Sequence, residues 1–355
     1  MEKKSEYVGI DLFAGAGGLS LGAEWAGVDV ALAIEKDKAA AETYKHNHPD
    51  AKVIIDDICN VHAFPTIDCQ NKKRILFGGP PCQGFSYSNQ RTRNEQNPNN
   101  WLLMEFMRLV SLWEPDCVVF ENVYGFVETR KGLFLNTLVD MFEKIKYKCA
   151  WFILNAMEYG VPQRRSRFFL IATKSGKRLS CPDPSGDTVT VGQAIDDLPS
   201  LKAGASENYL EYKTGPANNF AKSLRGDLPG CTGHLVSRNA DYVLNRYEHV
   251  PKGGNWRNIP ESLMGNYKDR LRCHTGIYHR LDPDQTALTI GNYRKAMLIH
   301  PWEHRGLSVR EAARIQSFPD YYQFRGSIGF QQQQVGNAVP PLLAKHVFNK
   351  IIENI

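Results

Sequence analysis

Apolar residues fall along this chain in short runs, and the stretches between them carry apolar positions at helical spacing. Tyr7 to Phe13, Val28 to Ile34, Val53 to Ile55, Ile75 to Phe77, Cys117 to Phe120, Trp151 to Leu154 and Phe168 to Ala172 read as buried strands. Helices are predicted between several of them, over Ala39 to His46, Leu102 to Leu112 and Leu133 to Ile145. Strands alternating with helices predict an α/β fold with a doubly wound, mostly parallel sheet. Ligands of such sheets bind beyond the carboxyl ends of the strands. After about Ser175 the pattern breaks. The stretch to about His279 is rich in Gly, Pro, Asn and Asp and weak in period, which predicts a smaller, loop-rich second domain. Near the end, Ser308-Val309-Arg310-Glu311 has capping-box spacing before a helix over Ala312 to Gln316. A last helix is predicted from Pro341 to about Glu353.

Composition narrows the class. A chain of 355 residues, 42% apolar and 23% charged, suits one large or two modest soluble domains. No apolar run approaches the roughly 20 residues of a membrane span, and the start from Met1 to Glu6 lacks a signal-peptide core, so a cytoplasmic protein is expected. The eight cysteines include no Cys-x-x-Cys pair, which argues against a disulfide framework and against a metal site. Most should be small buried apolar groups, with Cys117 the clearest case. The net charge of +5 is mild, but Lys222 to Arg280 holds ten Lys/Arg against five Asp/Glu, a surplus equal to the whole chain's. A solvated face is the commoner cause of such a bias, and a phosphate-facing surface is the sharper reading.

Candidate chemistry sits at the predicted strand ends. The first strand runs into Asp11-Leu-Phe-Ala-Gly-Ala-Gly-Gly18, whose glycines allow a tight turn close to a ligand. Glu35 closes the second strand, where a carboxylate accepts both hydroxyls of a ribose. Asp57, after the third strand, is placed for an exocyclic amine. Three suitable groups at three successive strand ends point to an adenosine-bearing cofactor, and the spacing departs from a dinucleotide fingerprint. Cys82 differs from the other thiols because it lies among Pro and Gly, in Gly79-Pro-Pro-Cys-Gln-Gly-Phe-Ser86. Pro80-Pro81 stiffens its approach, and the polar run from Ser86 to Asn100 predicts a mobile lid. Glu121-Asn122-Val123 closes another strand 39 positions after Cys82. A thiolate of lowered pKa is a nucleophile, and a nearby carboxyl can hydrogen-bond or protonate what it attacks. Glu121 reads either as a carboxylate that caps the next helix or, since Asn122 could cap in its place, as a group available for chemistry. Arg165 and Arg167, in Gln163-Arg-Arg-Ser-Arg167, share one face of an extended segment and could reach a phosphate or a base carbonyl.

Taken in order, these motifs resemble those of the DNA (cytosine-5)-methyltransferases of the bacterial restriction–modification type. The likeness spans nearly the whole chain. It adds Arg310-Glu-Ala-Ala-Arg314 with Phe318-Pro319, and Gly336-Asn-Ala-Val-Pro340, to the runs already quoted. The resemblance implies S-adenosylmethionine as methyl donor and the fold of the methyltransferases that use it. Residues 1–175 with about 325–355 would form the catalytic and cofactor-binding domain, closed by the last helix, and about 176–324 the target-recognition domain, with a variable segment over about 176–279. Phe13, Gly15 and Ala16 would line the methionine and ribose portions and Glu35 the ribose hydroxyls. Asp57 and Ile58 would hold the adenine, Pro81 and Asn337 would complete the site, and Leu102 would pack beside it. Cys82 would add to C6 of a cytosine flipped out of a specific duplex sequence. Glu121 would hold N3 and the amino group, and Arg167 the base O2, with Arg165 supporting Glu121 or a phosphate.

For DNA contact the resemblance points to Ser86 and Arg91 in the lid and to Arg238, Arg246, Lys252 and Arg257 in the variable segment. His249 to Trp256 reads as a rigid loop for groove entry, or as a loop that only packs. Duplex DNA is the expected partner, a monomer the expected state, and protection against a matching endonuclease the expected role. An RNA (cytosine-5)-methyltransferase and a non-catalytic DNA-binding relative stay open as alternatives. Gly84-Phe85-Ser86 and a variable segment of roughly 100 residues favour DNA. The presence of both Cys82 and Glu121 favours catalysis.

Overall fold

The computed structural model describes residues 5–81, 102–128, 132–265 and 276–355. Cys82, Ser86, Arg91 and the expected lid lie outside the described residues. The chain forms two compact units, the first from Met1–Tyr159, Ser166–Ser185 and Val339–Ile355, the second from Gly160–Arg165 and Gly186–Ala338. These breaks fall later than the 175 and 325 expected. Residues 176–185 turn back onto the first unit, where Tyr159 OH donates to Pro182 O at 3.0 Å and Ser185 N to Glu158 O at 3.0 Å.

The first unit is built on seven strands: β1 (Tyr7–Leu12), β2 (Val28–Ile34), β3 (Lys52–Ile54), β4 (Lys73–Gly78), β5 (Cys117–Val123), β6 (Lys148–Asn155) and β7 (Ser166–Thr173). Their order is β3-β2-β1-β4-β5-β7-β6. All pairings are parallel except those of β7, which runs antiparallel to both β5 and β6. Helices α1 (Gly18–Trp25), α2 (Lys38–Asn47), α3 (Leu102–Trp113), α4 (Gly125–Glu128) and α5 (Leu133–Lys144) join the strands. The central strands read as unbroken apolar runs because a parallel sheet is covered on both faces. Ile10, Leu76, Val118 and Phe120 are accordingly fully buried. β6 breaks the rule: Trp151 is 47% exposed, because β6 is an edge strand and only part of it faces the core. The thiols split in the same way. Cys117 and Cys149 are buried, as is Cys231 of the second unit, whereas Cys59 and Cys181 are exposed. The direction of strand order reverses between β1 and β4, so the crevice beyond Leu12 and Gly78 is the topological switch point.

The second unit carries short helices α6 (Val191–Ile195), α7 (Asn219–Arg225), α8 (Asp241–Glu248), α9 (Tyr293–Ala296), α10 (Val309–Ile315) and α11 (Ile328–Asn337), with a hairpin of β8 (Tyr209–Glu211) and β9 (Gly230–Thr232). The capping box forms as its spacing predicts: Ser308 Oγ accepts from Glu311 N at 3.1 Å, and Glu311 Oε2 accepts from Ser308 N at 2.8 Å. The helix α12 (Pro341–Ile352) then returns to the first unit and packs on α1. A β-carbon placed on Gly22 of α1 would lie 2.3 Å from Ala344 Cβ, so the two helices meet at a contact only glycine permits.

Candidate active site

The turn after β1 is strained and open. Phe13 holds φ at 59°, a region a bulky residue adopts only when its surroundings force it. Gly15 and Gly17 follow at 56° and 87°. The turn is pinned from β2: Gly15 N donates to Glu35 Oε2 at 2.8 Å, and Asp37 N donates to Oε1 at 2.7 Å. Burial pushes the half-buried Glu35 carboxyl up from its ordinary pKa, and these backbone donors pull it partly back. Both oxygens accept backbone N–H groups, and a carboxylate with about four acceptor positions keeps capacity for further donors. A β-carbon on Gly15 would meet no atom within 4 Å, so the space before the turn is free. Ala16 and Leu102 are buried, and Phe13 packs against the core that includes Leu102.

Asp57 opens a short 3-10 turn over Ile58–Asn60 and accepts from Cys59 N at 3.1 Å. That bond is the main cause of its lowered pKa, and Lys36, at 3.7 Å, adds to it. Ile58 is buried beneath.

The second cluster lies at the ends of β4, β5 and β7. Arg167 pairs with Val123 across the β5–β7 ladder, which makes Glu121 its diagonal neighbour on the same face. Arg167 Nε lies 3.1 Å from Glu121 Oε1, and the two side chains are only 11% and 12% exposed. Burial lowers the Arg167 pKa, and the Glu121 charge opposes that. The segment leading to Cys82 is fixed against this pair. A β-carbon on Gly79 would fall 2.4 Å from Glu121 Oε2. Asn122 Nδ2 donates to Pro80 O at 3.2 Å, while its Oδ1 accepts from Val123 N at 2.8 Å. Asn122 therefore ties the Pro80-Pro81 segment to β5 rather than capping a helix. Half-buried Pro81 is the residue directly before Cys82.

Arg165 has a task that its sequence did not announce. It lies in the second unit, where Nη2 donates to Gly336 O at 2.8 Å and Ala338 O at 2.9 Å. Those carbonyls flank Asn337, which is exposed at the end of α11. Gln163 supports the same region, its Oε1 accepting from Ile290 N at 2.9 Å and its Nε2 donating to Gln316 Oε1 at 2.9 Å.

Among the expected DNA contacts, Arg238, Lys252 and Arg257 are exposed. Arg246 is not. It is buried, with Nε donating to Leu263 O at 2.8 Å, Nη1 to Tyr278 OH at 2.7 Å, and its guanidinium 5.0 Å from the Tyr242 ring centroid. A side chain so enclosed anchors the core of its own unit and is not presented to DNA, contrary to the expectation for Arg246. The loop from His249 to Trp256 is rigid because it packs. Trp256 is buried, and Gly253 N and Gly254 O both bond to the backbone of Arg280 at 3.0 Å. Among the described residues no group of His, Cys, Asp or Glu could hold a metal ion, and no helix is long and apolar enough to cross a membrane.

Comparison with known proteins bears on the whole of this arrangement. The family model for C-5 cytosine-specific DNA methylases matches residues 7–353. The Type II methyltransferase M.DdeI of Desulfomicrobium norvegicum is 34% identical, over 98% of this chain and 89% of its own length. The Type II methyltransferase M1.HphI of Haemophilus parahaemolyticus is 35% identical, over 97% and 86%. A solved structure from E. coli, assigned as a DNA modification methyltransferase encoded within a prophage, superposes with a TM-score of 0.78 at 28% identity, covering 98% of this chain and 99% of its own. The match extends over residues 7–353, and the chain belongs to the C-5 cytosine-specific DNA methylase family, as a DNA (cytosine-5)-methyltransferase.

Proposed function

We propose that this enzyme moves a methyl group from S-adenosylmethionine to C5 of a cytosine flipped out of a specific duplex sequence, through a covalent bond between Cys82 and C6. The observation that carries the reading is the Glu121–Arg167 pair, closed in at 3.1 Å against the Gly79-Pro80-Pro81 segment that leads into Cys82. The residues present fit the donor. Glu35 retains acceptor capacity for two ribose hydroxyls, the turn at Gly15 opens on free space, and Asp57 offers a carboxylate above the buried Ile58. By the same family pattern Phe13, Ala16, Pro81, Leu102 and Asn337 contribute to cofactor binding.

Cytosine C5 is a poor nucleophile, so the enzyme must first load electron density onto the ring. Cys82 thiolate adds to C6 while Glu121 holds N3 and the exocyclic amine, which turns C4–C5 into an enamine. Arg167 keeps Glu121 in place and has further N–H donors for the base O2. Bound S-adenosylmethionine supplies a methyl group on a cationic sulfur, which departs as a neutral thioether when C5 takes the methyl. C5 then loses its proton to a base, and Cys82 leaves C6 as thiolate, restoring the aromatic ring. The target must leave the stack for any of this to occur. Arg238, Lys252 and Arg257, exposed on the second unit, are suited to DNA phosphates or bases. The kinship with Type II methyltransferases supports a role in protecting DNA from a matching endonuclease.

Transfer of a labelled methyl group to duplex DNA tests the reading, with transfer RNA as the competing substrate. Cys82→Ala is expected to abolish transfer while S-adenosylhomocysteine still binds. Wild-type activity in that variant would sink the covalent mechanism, and methylation of transfer RNA alone would sink the substrate.

A further inference from the structure

The 3-10 turn that carries Asp57 and Ile58 is held at both ends, and one of the holders comes from far away in sequence. At its start, Asp56 Oδ1 accepts from Asp57 N and from Asn60 Nδ2, each at 2.7 Å. At its finish, Arg108 of α3 reaches across. Its Nη2 donates to Ile58 O at 3.2 Å and to Val61 O at 2.8 Å. The end of a short helix leaves carbonyls in need of donors, and a cation there also answers the local dipole. Ile58 O already accepts from Val61 N at 3.2 Å, so Arg108 takes its second lone pair.

The guanidinium is itself aimed. Glu105, one turn earlier on α3, accepts from Arg108 Nε at 2.8 Å and lies 2.7 Å from Nη2. A rigid planar fork meets the carboxylate and the two carbonyls in one fixed geometry, whereas a lysine would bring a compact charge on a flexible stem. Ile58 and Val61 are buried in the core that α3 covers through Leu102, Phe106 and Leu109. The position of the turn, and with it that of the Asp57 carboxylate, is therefore set from α3.

We infer that Arg108, aimed by Glu105, is a positioning residue for the adenine end of the cofactor site, fixing where Asp57 and Ile58 stand. The inference rests on the assignment of those two residues to adenine. It predicts more than a loss of stability. Arg108→Met keeps the apolar stem and removes the donors. The KM for S-adenosylmethionine should rise about ten-fold, in line with the loss of a charge-assisted bond, while kcat at saturating cofactor changes less than about two-fold. The preference for S-adenosylhomocysteine over S-inosylhomocysteine, which carries a carbonyl in place of the amine, should shrink towards one. Unchanged preference and KM in a folded Arg108→Met overturn the role. Should that variant fail to fold, Glu105→Gln must erode the preference in the same direction, and an unchanged preference there overturns it equally. Asp57→Asn separates the two layers. If it leaves the preference intact, the adenine assignment falls and the role of Arg108 with it. If it abolishes the preference while Arg108→Met does not, the role of Arg108 alone falls.

Discussion

Glu35 in the first unit and Glu311 in the second are both carboxylates that accept backbone N–H groups, yet they are held in opposite ways. Glu35 meets the amides of Gly15 and Asp37, and burial raises its pKa. Glu311 meets Ser308 N and both terminal nitrogens of Arg305, at 2.9 and 2.7 Å. Burial alone would raise Glu311 too, but Arg305 and then His300 outweigh it and bring the pKa to about 2. The same contrast extends outward. In the second unit Arg314 bridges Asp197 and Asp320, and Arg310 lies 3.6 Å from Asp320, all of them buried. In the first, Glu35 and Asp57 stand at strand ends, partly open and held mainly by backbone amides. Glu311, enclosed by Arg305, builds the fold, whereas Glu35, held by amides, keeps capacity for a ligand; Glu121, paired with Arg167 at 3.1 Å at the end of β5, stands between the two.

The sharpest way to break this contrast is to remove a matched charge. Arg314→Leu leaves Asp197 and Asp320 buried without their shared partner and is expected to cost about 3–5 kcal/mol in urea unfolding; a loss below about 1 kcal/mol would show the network to be dispensable. Acid titration comes next. Because the Glu311 pKa is depressed in the folded state, its stabilisation is full above the unfolded value near 4.5 and disappears as pH falls towards 2. That is about 3 kcal/mol, and Glu311→Gln should flatten the acid limb of the stability curve. Glu35 has the opposite sign. Its burial penalty applies above its raised pKa and is relieved as pH falls, so Glu35→Gln should leave stability level or slightly higher at neutral pH while weakening S-adenosylhomocysteine binding in calorimetry.

A third test displaces a carboxylate without touching it. Gly79→Ala pushes on Glu121 and should lower kcat by about 100-fold, since small misplacements near the chemistry cost that much, with cofactor affinity unchanged. The smallest effect separates arginines within the second unit. Arg257→Ala should weaken DNA binding a few-fold and reduce the salt slope by about one, whereas Arg246→Ala should lower the melting temperature first. A normal melting temperature for Arg246→Ala would return that residue to the surface.

Much of this was legible in the sequence where local pattern decides. The strands of the first unit, the capping box of α10 and the span of α12 follow from runs and spacing that neighbours along the chain enforce. The strand-end groups Glu35, Asp57 and Glu121 were legible for a related reason: once a strand is placed, its end is placed. What failed depends on distant partners. Trp151 has an apolar side chain, but only the sheet order shows that β6 is an edge. Arg246 looks like any basic residue in a basic stretch until Tyr278 and Leu263 enclose it. Arg108 belongs to an i,i+3 pair with Glu105, an ordinary surface signature, and nothing local shows that its target is 47 positions upstream. The wedge of Gly79 against Glu121 was hidden for the same reason.

The return of α12 to α1 has a consequence for synthesis. Every strand of the seven-stranded sheet has been made by Thr173, but the helix that meets α1 at Gly22 is translated about 170 residues later. At roughly 5–20 residues per second that is an interval of about 10–35 s. During it the nascent first unit presents an uncovered helix face to chaperones and proteases. A chain ending before Val339 would leave that face of α1 without α12.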